Sequence, residues 1–566
     1  MSKIQGDEEK GIYGVSEPAV QVLPASDGDV HVDVHTKLYD GVQRNMEQRH
    51  MQMIALAGTL GTGLFLQSGK AIAHGGPAGA LIAYAHVGTI VYCMCERSDP
   101  VPSPLPYAAH GTWRKTSCPH AERWLNPCFG FALGWQQVFS GIISLPTEII
   151  SASILISFWD TNFTVARQGG YITVLLILAA SVNYLGVRWF GESEFIFSMI
   201  KIALIVGLII AGLVVDLGGG PNHDRIGFRY WKNPGAFAEY HFTGSLGKFL
   251  GWFTDLLQAA YSYLGMEGIA IAAAEVKNPR VSVTKAVKRI FIRIVTFYIL
   301  GMLIIGMLVP YDNDQLLQST GTAASSPFVL AFNLAGIKVL PSIINAGVLT
   351  SAFSAANSGL YGTSRQLYGL AIRGQAPKIF AKTTKNGLPI YALILPTVFM
   401  SLSYMALGAG ASTALNWLSN LTSLAGFITW TVISLTYLRF KAGVDSQGID
   451  RRQFHPDPLT PRDSYASFWQ PFPAYWTIFW CAIVILFNGW EVFTAGSWNA
   501  SDFVVAYINL PLFAILAGGY WLVKRPKHLK PSELDFVSNI PSDEEVYYEE
   551  PPPKNIFQKI GNWLFT

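Results

Sequence analysis

Gly58-Thr59-Leu60-Gly61-Thr62-Gly63 and Ser262-Tyr263-Leu264-Gly265-Met266-Glu267-Gly268 decide the fold. Each interrupts a long apolar run, one near 51–72 and the other near 249–273. These are the first and the sixth apolar runs of the chain, so in a membrane they run in opposite directions. A broken helix opening each of two five-helix halves, inverted with respect to one another, marks an inverted repeat. In that arrangement a substrate lies at the midplane, where the breaks face each other. Small residues can also simply let helices pack closely. Six residues alternating glycine with Thr or Leu, and Glu267 in the paired break, favour a binding site over packing alone.

The composition agrees with a bilayer. Of 566 residues, 51% are hydrophobic and only 14% charged, where a soluble domain carries about a quarter. Mean hydropathy is +0.31. Roughly 20 apolar residues cross the hydrocarbon core as a helix, and about a dozen crossings use nearly half of such a chain. A net charge of +3 is too small to draw nucleic acid. Cys93, Cys95, Cys118, Cys128 and Cys481 are scattered and odd in number, which supports neither a disulfide framework nor a zinc site. No metal cluster, Gly-x-Ser-x-Gly elbow or phosphate loop points to an enzyme.

The apolar runs lie near 51–72, 78–95, 129–157, 170–187, 195–216, 249–273, 290–310, 340–357, 389–408, 413–438, 473–493 and 502–523. They predict an all-α integral membrane protein of about 12 transmembrane helices. The run at 340–357 is expected to continue through Tyr361 and Tyr368 as a longer, tilted helix. Residues 1–48 read as a disordered cytosolic tail, 49–523 as the transmembrane domain and 524–566 as a cytosolic tail. With the N-terminus inside, the inner loops hold Arg97, Arg114, Lys115 and Arg123, then Lys277 to Arg289, then Arg365 to Lys385, then Arg439 to Arg452. Outer loops at 310–326, 408–414 and 494–501 hold no Lys or Arg, which places both tails in the cytosol. Possible glycosylation sites at Asn162 and Asn499 fall in outer loops on this topology.

Arg49-His50-Met51-Gln52-Met53-Ile54-Ala55-Leu56, leading into Gly58–Gly63, resembles the opening signature of the fungal amino acid permeases of the amino acid–polyamine–organocation superfamily. Gly75-Gly76-Pro77-Ala78-Gly79, Gly130-Phe131-Ala132-Leu133-Gly134-Trp135 and Ala274-Glu275-Val276-Lys277-Asn278-Pro279-Arg280 are similar to that family as well. So are Leu340–Ala346 and Ser364-Arg365-Gln366-Leu367-Tyr368-Gly369-Leu370-Ala371. The resemblance spans roughly residues 45 to 525. It implies a leucine-transporter-like 5+5 inverted repeat plus two C-terminal helices, in the plasma membrane, importing amino acids by proton symport with alternating access. It implies no cofactor beyond the proton gradient. The tails would meet cytosolic trafficking or ubiquitination machinery. Arg97 to Arg123 departs from the family, with four prolines between Pro100 and Pro106 and no helical period. That stretch reads as an altered coding segment or as a divergent loop.

A zwitterion entering lipid needs both charges replaced by protein dipoles. N–H groups freed at a helix break point at an anion, and the half-helix dipole adds about half a positive charge. The substrate carboxylate is therefore assigned to the backbone of Thr59, Leu60, Gly61, Thr62 and Gly63. Freed carbonyls at Tyr261, Ser262 and Leu264 would take the ammonium, with Tyr263 beside them. Glu267 could pair that ammonium, carry a proton, or stitch helices as a neutral carboxyl. Glu148, in Leu145-Pro146-Thr147-Glu148, is the only acid in the third crossing and could carry a proton or serve structurally. Lys201 lies about two turns into the fifth crossing. By the resemblance its ammonium stands where sodium-coupled cousins hold their ion; snorkelling to the interface is the plainer reading. Glu275 reads as an interface ion pair or gate. Phe353, Asn420 and Thr422 are candidates for side-chain specificity. A channel or a non-transporting amino acid sensor on the same fold are the competing functions.

Overall fold

An apolar segment has one stable spanning form in hydrocarbon, the α-helix, because it satisfies every backbone N–H and C=O within itself. The computed structural model describes residues 61–98, 120–160, 162–265, 295–317, 326–385, 387–408, 410–449 and 471–536, and it contains no strand among them. All belong to one unit, Gly41–Thr566.

The chain enters through a π turn, Gly63–Gln67, and continues as α1, Ser68–Ser98. Gly76 breaks α1 with φ 74° and ψ 174°, and Pro77 follows. That positive φ is glycine's province. The break divides the helix into two arms, one continuing from the first apolar run and the other covering the second. The connecting loop is pinned over the break, Ala78 N donating to Ala236 O at 2.9 Å and Ala238 N to Gly75 O at 3.2 Å.

Next come α2 (Pro127–Ile156), α3 (Val165–Tyr184), α4 (Val187–Val214) and α5 (Gly244–Tyr263). Asn126 caps α2 by accepting from Cys128 N, and Thr164 caps α3, each satisfying an otherwise orphaned donor. Helix α5 stops where the glycine signal stands: Leu264 is extended (ψ 149°) and Gly265 has φ 93°. The later helices are α6 (Val295–Leu308), α7 (Pro327–Leu334), α8 (Leu340–Ile372), α9 (Ile390–Phe399), α10 (Ala411–Ser446), α11 (Phe472–Phe487), α12 (Ala500–Tyr507) and α13 (Asn509–Lys524). As expected, α8 runs on through Tyr361 and Tyr368. Among the described residues six helical stretches are long and apolar enough to cross a membrane, or seven if α12 and α13, bent by 48°, form one span.

Two helices organise the interior. The arms of α1 pack most extensively on α5, and α2 packs against α8, α10 and α13. Apolar side chains left outside, such as Ile177 on α3, Ile210 on α4, Phe479 on α11 and Ile515 on α13, are exposed. In water such a surface would invite association; in a bilayer it faces lipid.

The stretch after α13 docks on the helices. Leu534 and Phe536 are buried with Trp124, Tyr437, Phe440 and Val444. Arg123 Nε and Trp124 Nε1 both donate to Asp535 O, at 2.9 and 3.3 Å. Of the stretch Arg97 to Arg123 that departs from the family pattern, 99–119 lie outside the described residues, and Ala121–Leu125 forms a π turn against this strap. The expected N-terminal tail, 1–48, lies outside them too.

Candidate functional site

The break in the first apolar run and the end of α5 meet face to face. Gly63 lies so close to α5 that a β-carbon there would stand 2.6 Å from Ser262 Cα and 2.8 Å from its Oγ. Glu148 of α2 reaches the same place. Its Oε1 accepts from Thr62 Oγ1 at 3.0 Å and from Tyr261 OH at 3.0 Å. A β-carbon on Gly61 would touch that oxygen at 3.2 Å. One carboxylate oxygen thus joins both breaks, while Oε2 is buried without a hydrogen-bond partner. Pro146, two residues earlier, has no N–H to give the ladder of α2.

Three tyrosines close the cluster. Tyr84 OH lies 3.0 Å from Ser262 Oγ, Tyr263 OH donates to Tyr84 O at 3.1 Å, and Tyr298 OH donates to Ser262 O at 2.6 Å. The Ser262 carbonyl, read from sequence as a partner for an ammonium, is therefore already engaged. The last helical bond of α5 runs from Leu264 N to Ala260 O at 3.1 Å, so the carbonyls after Ala260 lack helical donors.

Lys201 does not snorkel: its side chain is fully buried. It lies within electrostatic reach of Glu194 and Glu148. Glu194 is also fully buried. Its oxygens accept from Ser354 Oγ at 2.7 Å and Asn357 Nδ2 at 2.5 Å. Asn183 Nδ2 donates to Asn357 Oδ1 at 2.6 Å. A polar chain thus links α3, α4 and α8, and dense hydrogen bonding is what makes buried polar groups tolerable.

Of the residues singled out from sequence, Gly61, Thr62, Gly63, Glu148, Tyr261, Ser262 and Tyr263 come together, with Lys201 close by. Thr59, Leu60, Glu267 and Glu275 lie outside the described residues. Phe353 packs against Phe197, ring centroids 5.7 Å apart. Thr422 OH turns back to Leu418 O at 2.8 Å, and Asn420 lines a separate cavity. Asn162 is exposed, and Asn499 caps α12 by accepting from Ser501 N. Sequence reasoning passed over Tyr84, Tyr298, Glu194 and Asp255. Asp255 is fully buried on α5, and neither carboxylate oxygen has a hydrogen-bond partner.

A helical membrane bundle with two facing breaks and a buried carboxylate between them defines a multi-span transporter. The amino acid permease family model matches residues 50–531. The chain is 38% identical to the dicarboxylic amino acid permease of Saccharomyces cerevisiae over 511 residues, 89% of this chain and 81% of that protein. It is 36% identical to the proline-specific permease of Emericella nidulans, over 98% of this chain and 97% of the relative. It is 35% identical to the basic amino-acid permease of S. cerevisiae, over 92% and 88%. The chain belongs to the amino acid permease family, and its role is amino acid transport across a membrane.

Proposed function

We propose that this protein imports amino acids across the plasma membrane by proton symport with alternating access, on about twelve crossings arranged as an inverted repeat. The observation that carries the reading is Glu148. Its Oε1 is tied to Thr62 and to Tyr261, while its Oε2 is unpartnered and Lys201 is within electrostatic reach. A proton on Oε2 leaves Oε1 free to keep both hydroxyl bonds. A proton leaving Oε2 puts a negative charge between the two breaks. The charge state of one carboxyl therefore acts on both elements that must move.

The relatives named for dicarboxylic, proline and basic substrates differ in side chain. What such substrates share is the α-carboxylate and the amino nitrogen. In this reading the carboxylate meets the backbone from Thr59 to Gly63. The ammonium meets the carbonyls at Tyr261 and Leu264, with Glu267 as a further anionic partner. Lys201 supplies a positive charge in place of a metal cation and switches between charged and neutral forms as the conformation changes. The tails remain the surfaces for trafficking or ubiquitination machinery.

Uptake of single labelled amino acids into a permease-deficient cell tests this. Uptake should rise as external pH falls and ignore sodium. A gradient of one pH unit is worth about 1.4 kcal/mol per proton, so accumulation should collapse when the gradient is dissipated. A Lys201→Ala variant should lose accumulation. Sodium-dependent uptake, or a Lys201→Ala variant that still concentrates substrate with unchanged pH dependence, defeats the proposal.

A further inference from the structure

Apart from the glycine-break cluster, the described residues enclose a cavity of about 570 Å³. It lies between the first arm of α1, the loop before α5, the middle of α5, the start of α10, the end of α11 and α12. Loop charges assign this end of the bundle to the exterior. The size suits a small ligand.

Its walls carry complementary groups. Lys70 stands with the imidazoles of His74 and His241 on one set of elements, Glu491 and Asp502 on another. Lys70 Nζ donates to Asn416 Oδ1, and an ammonium has three donors, so two directions remain. His74 Nδ1 is buried and has no hydrogen-bond partner. Asp502 Oδ1 is held by Trp417 Nε1 at 3.0 Å; Glu491 is hydrogen-bonded to Tyr240, is within electrostatic reach of His241, and its Oε1 lies 3.5 Å from Thr254 Oγ1. Among the described residues no ion pair joins either acid to Lys70, His74 or His241. An ammonium and carboxylates held apart across a recess do not form an ion pair with each other. A molecule bearing both an anion and a cation a few ångströms apart compensates both at once.

We propose that this cavity is a second binding site for a zwitterionic α-amino acid, with its carboxylate against Lys70 and His74 and its ammonium against Glu491. The ligand class rests on the transport reading above; the location does not. The site holds substrate on the outer side before it passes to the glycine breaks.

Equilibrium binding of radiolabelled L-aspartate, L-proline and L-lysine to the purified full-length chain in nanodiscs is the test. At least one of the three should bind wild type at two equivalents per chain. Glu491→Gln, which keeps the side chain's shape, and Lys70→Met should each leave one equivalent. Gly61→Val should also leave one, because it blocks the other site, and the retained equivalent in each variant reports a folded protein. A wild type that binds one equivalent, lost in Gly61→Val and unchanged in Glu491→Gln, overturns the inference. Loss of both equivalents in Glu491→Gln, or no binding of any probe by wild type, overturns it as well. Proton-coupled uptake with a single equivalent removes this site alone; two equivalents without uptake remove the transport reading alone.

Discussion

Gly61, Gly63 and Gly75 mark three places where the backbone meets a partner at a distance that suits hydrogen better than carbon. At Gly61 the partner is Glu148, at Gly63 the α5 backbone at Ser262, and at Gly75 the Asp255 carboxylate, whose Oδ2 would stand 2.0 Å from a β-carbon. The third partner is a removable side chain. Gly75→Ala should therefore destabilise the protein by overpacking, about 1–3 kcal/mol. Asp255→Ala should restore most of that loss in the double variant, because it removes the colliding group together with a buried carboxyl lacking partners. The thermal midpoint of the purified protein checks this; a double variant no more stable than Gly75→Ala refutes it. Asp255 and Glu194 escaped the sequence reading for different reasons. Glu194 stands at the edge of an apolar run, where an acid is unremarkable, and only its bonds to Ser354 and Asn357 across helices reveal its burial. Asp255 shares an apolar run with Glu267, and only the fold reveals that it is fully buried without a hydrogen-bond partner. Tyr84 and Tyr298 look like ordinary core aromatics until their hydroxyls are seen on Ser262.

At the scale of elements the hydrophobic pattern carries most of the fold, because lipid enforces it segment by segment: a helix must begin and end where apolar side chains do. Even α8 could be extended through Tyr361 and Tyr368 on sequence grounds. The strap after α13 could not be foreseen, because it is short, polar overall and stabilised only by what it touches. Leu534 and Phe536 are its anchors, buried to 4% and 2% exposure. Gly443 faces them so closely that a β-carbon would lie 2.7 Å from each. Removing a buried Phe costs about 3–5 kcal/mol. Truncation after Phe536 should leave the thermal midpoint of the purified protein unchanged, whereas truncation before Leu534 should lower it, and Phe536→Ala should reproduce most of that drop. Equal midpoints for the two truncations would show that the strap adds nothing.

Across the whole molecule, segments far apart in sequence sort onto two ends. At one end the strap meets Arg123 and Trp124, Arg373 pairs with Glu122 at 3.1 Å, and Arg439 reaches Leu529 O. These are the loops whose Lys and Arg residues the sequence assigned to the cytosol. At the other end Trp159 Nε1 donates to Ser342 Oγ at 2.8 Å, the loop at Ala236 and Ala238 covers the α1 break, and Trp490 packs beside Tyr240. Basic residues resist translocation, so the proposed topology keeps the end rich in them inside. The strap belongs to that end and precedes the C-terminus. An epitope tag after Thr566 should therefore be silent in sealed, intact cells and become readable once the membrane is permeabilised, and a tag before Met1 should behave alike. A glycan on Asn162, by contrast, should be removable by glycosidase from outside the intact cell. A C-terminal tag bound by antibody without permeabilisation would invert the topology. It would also move the 570 Å³ cavity to the cytosolic side, where it could not receive substrate ahead of the glycine breaks.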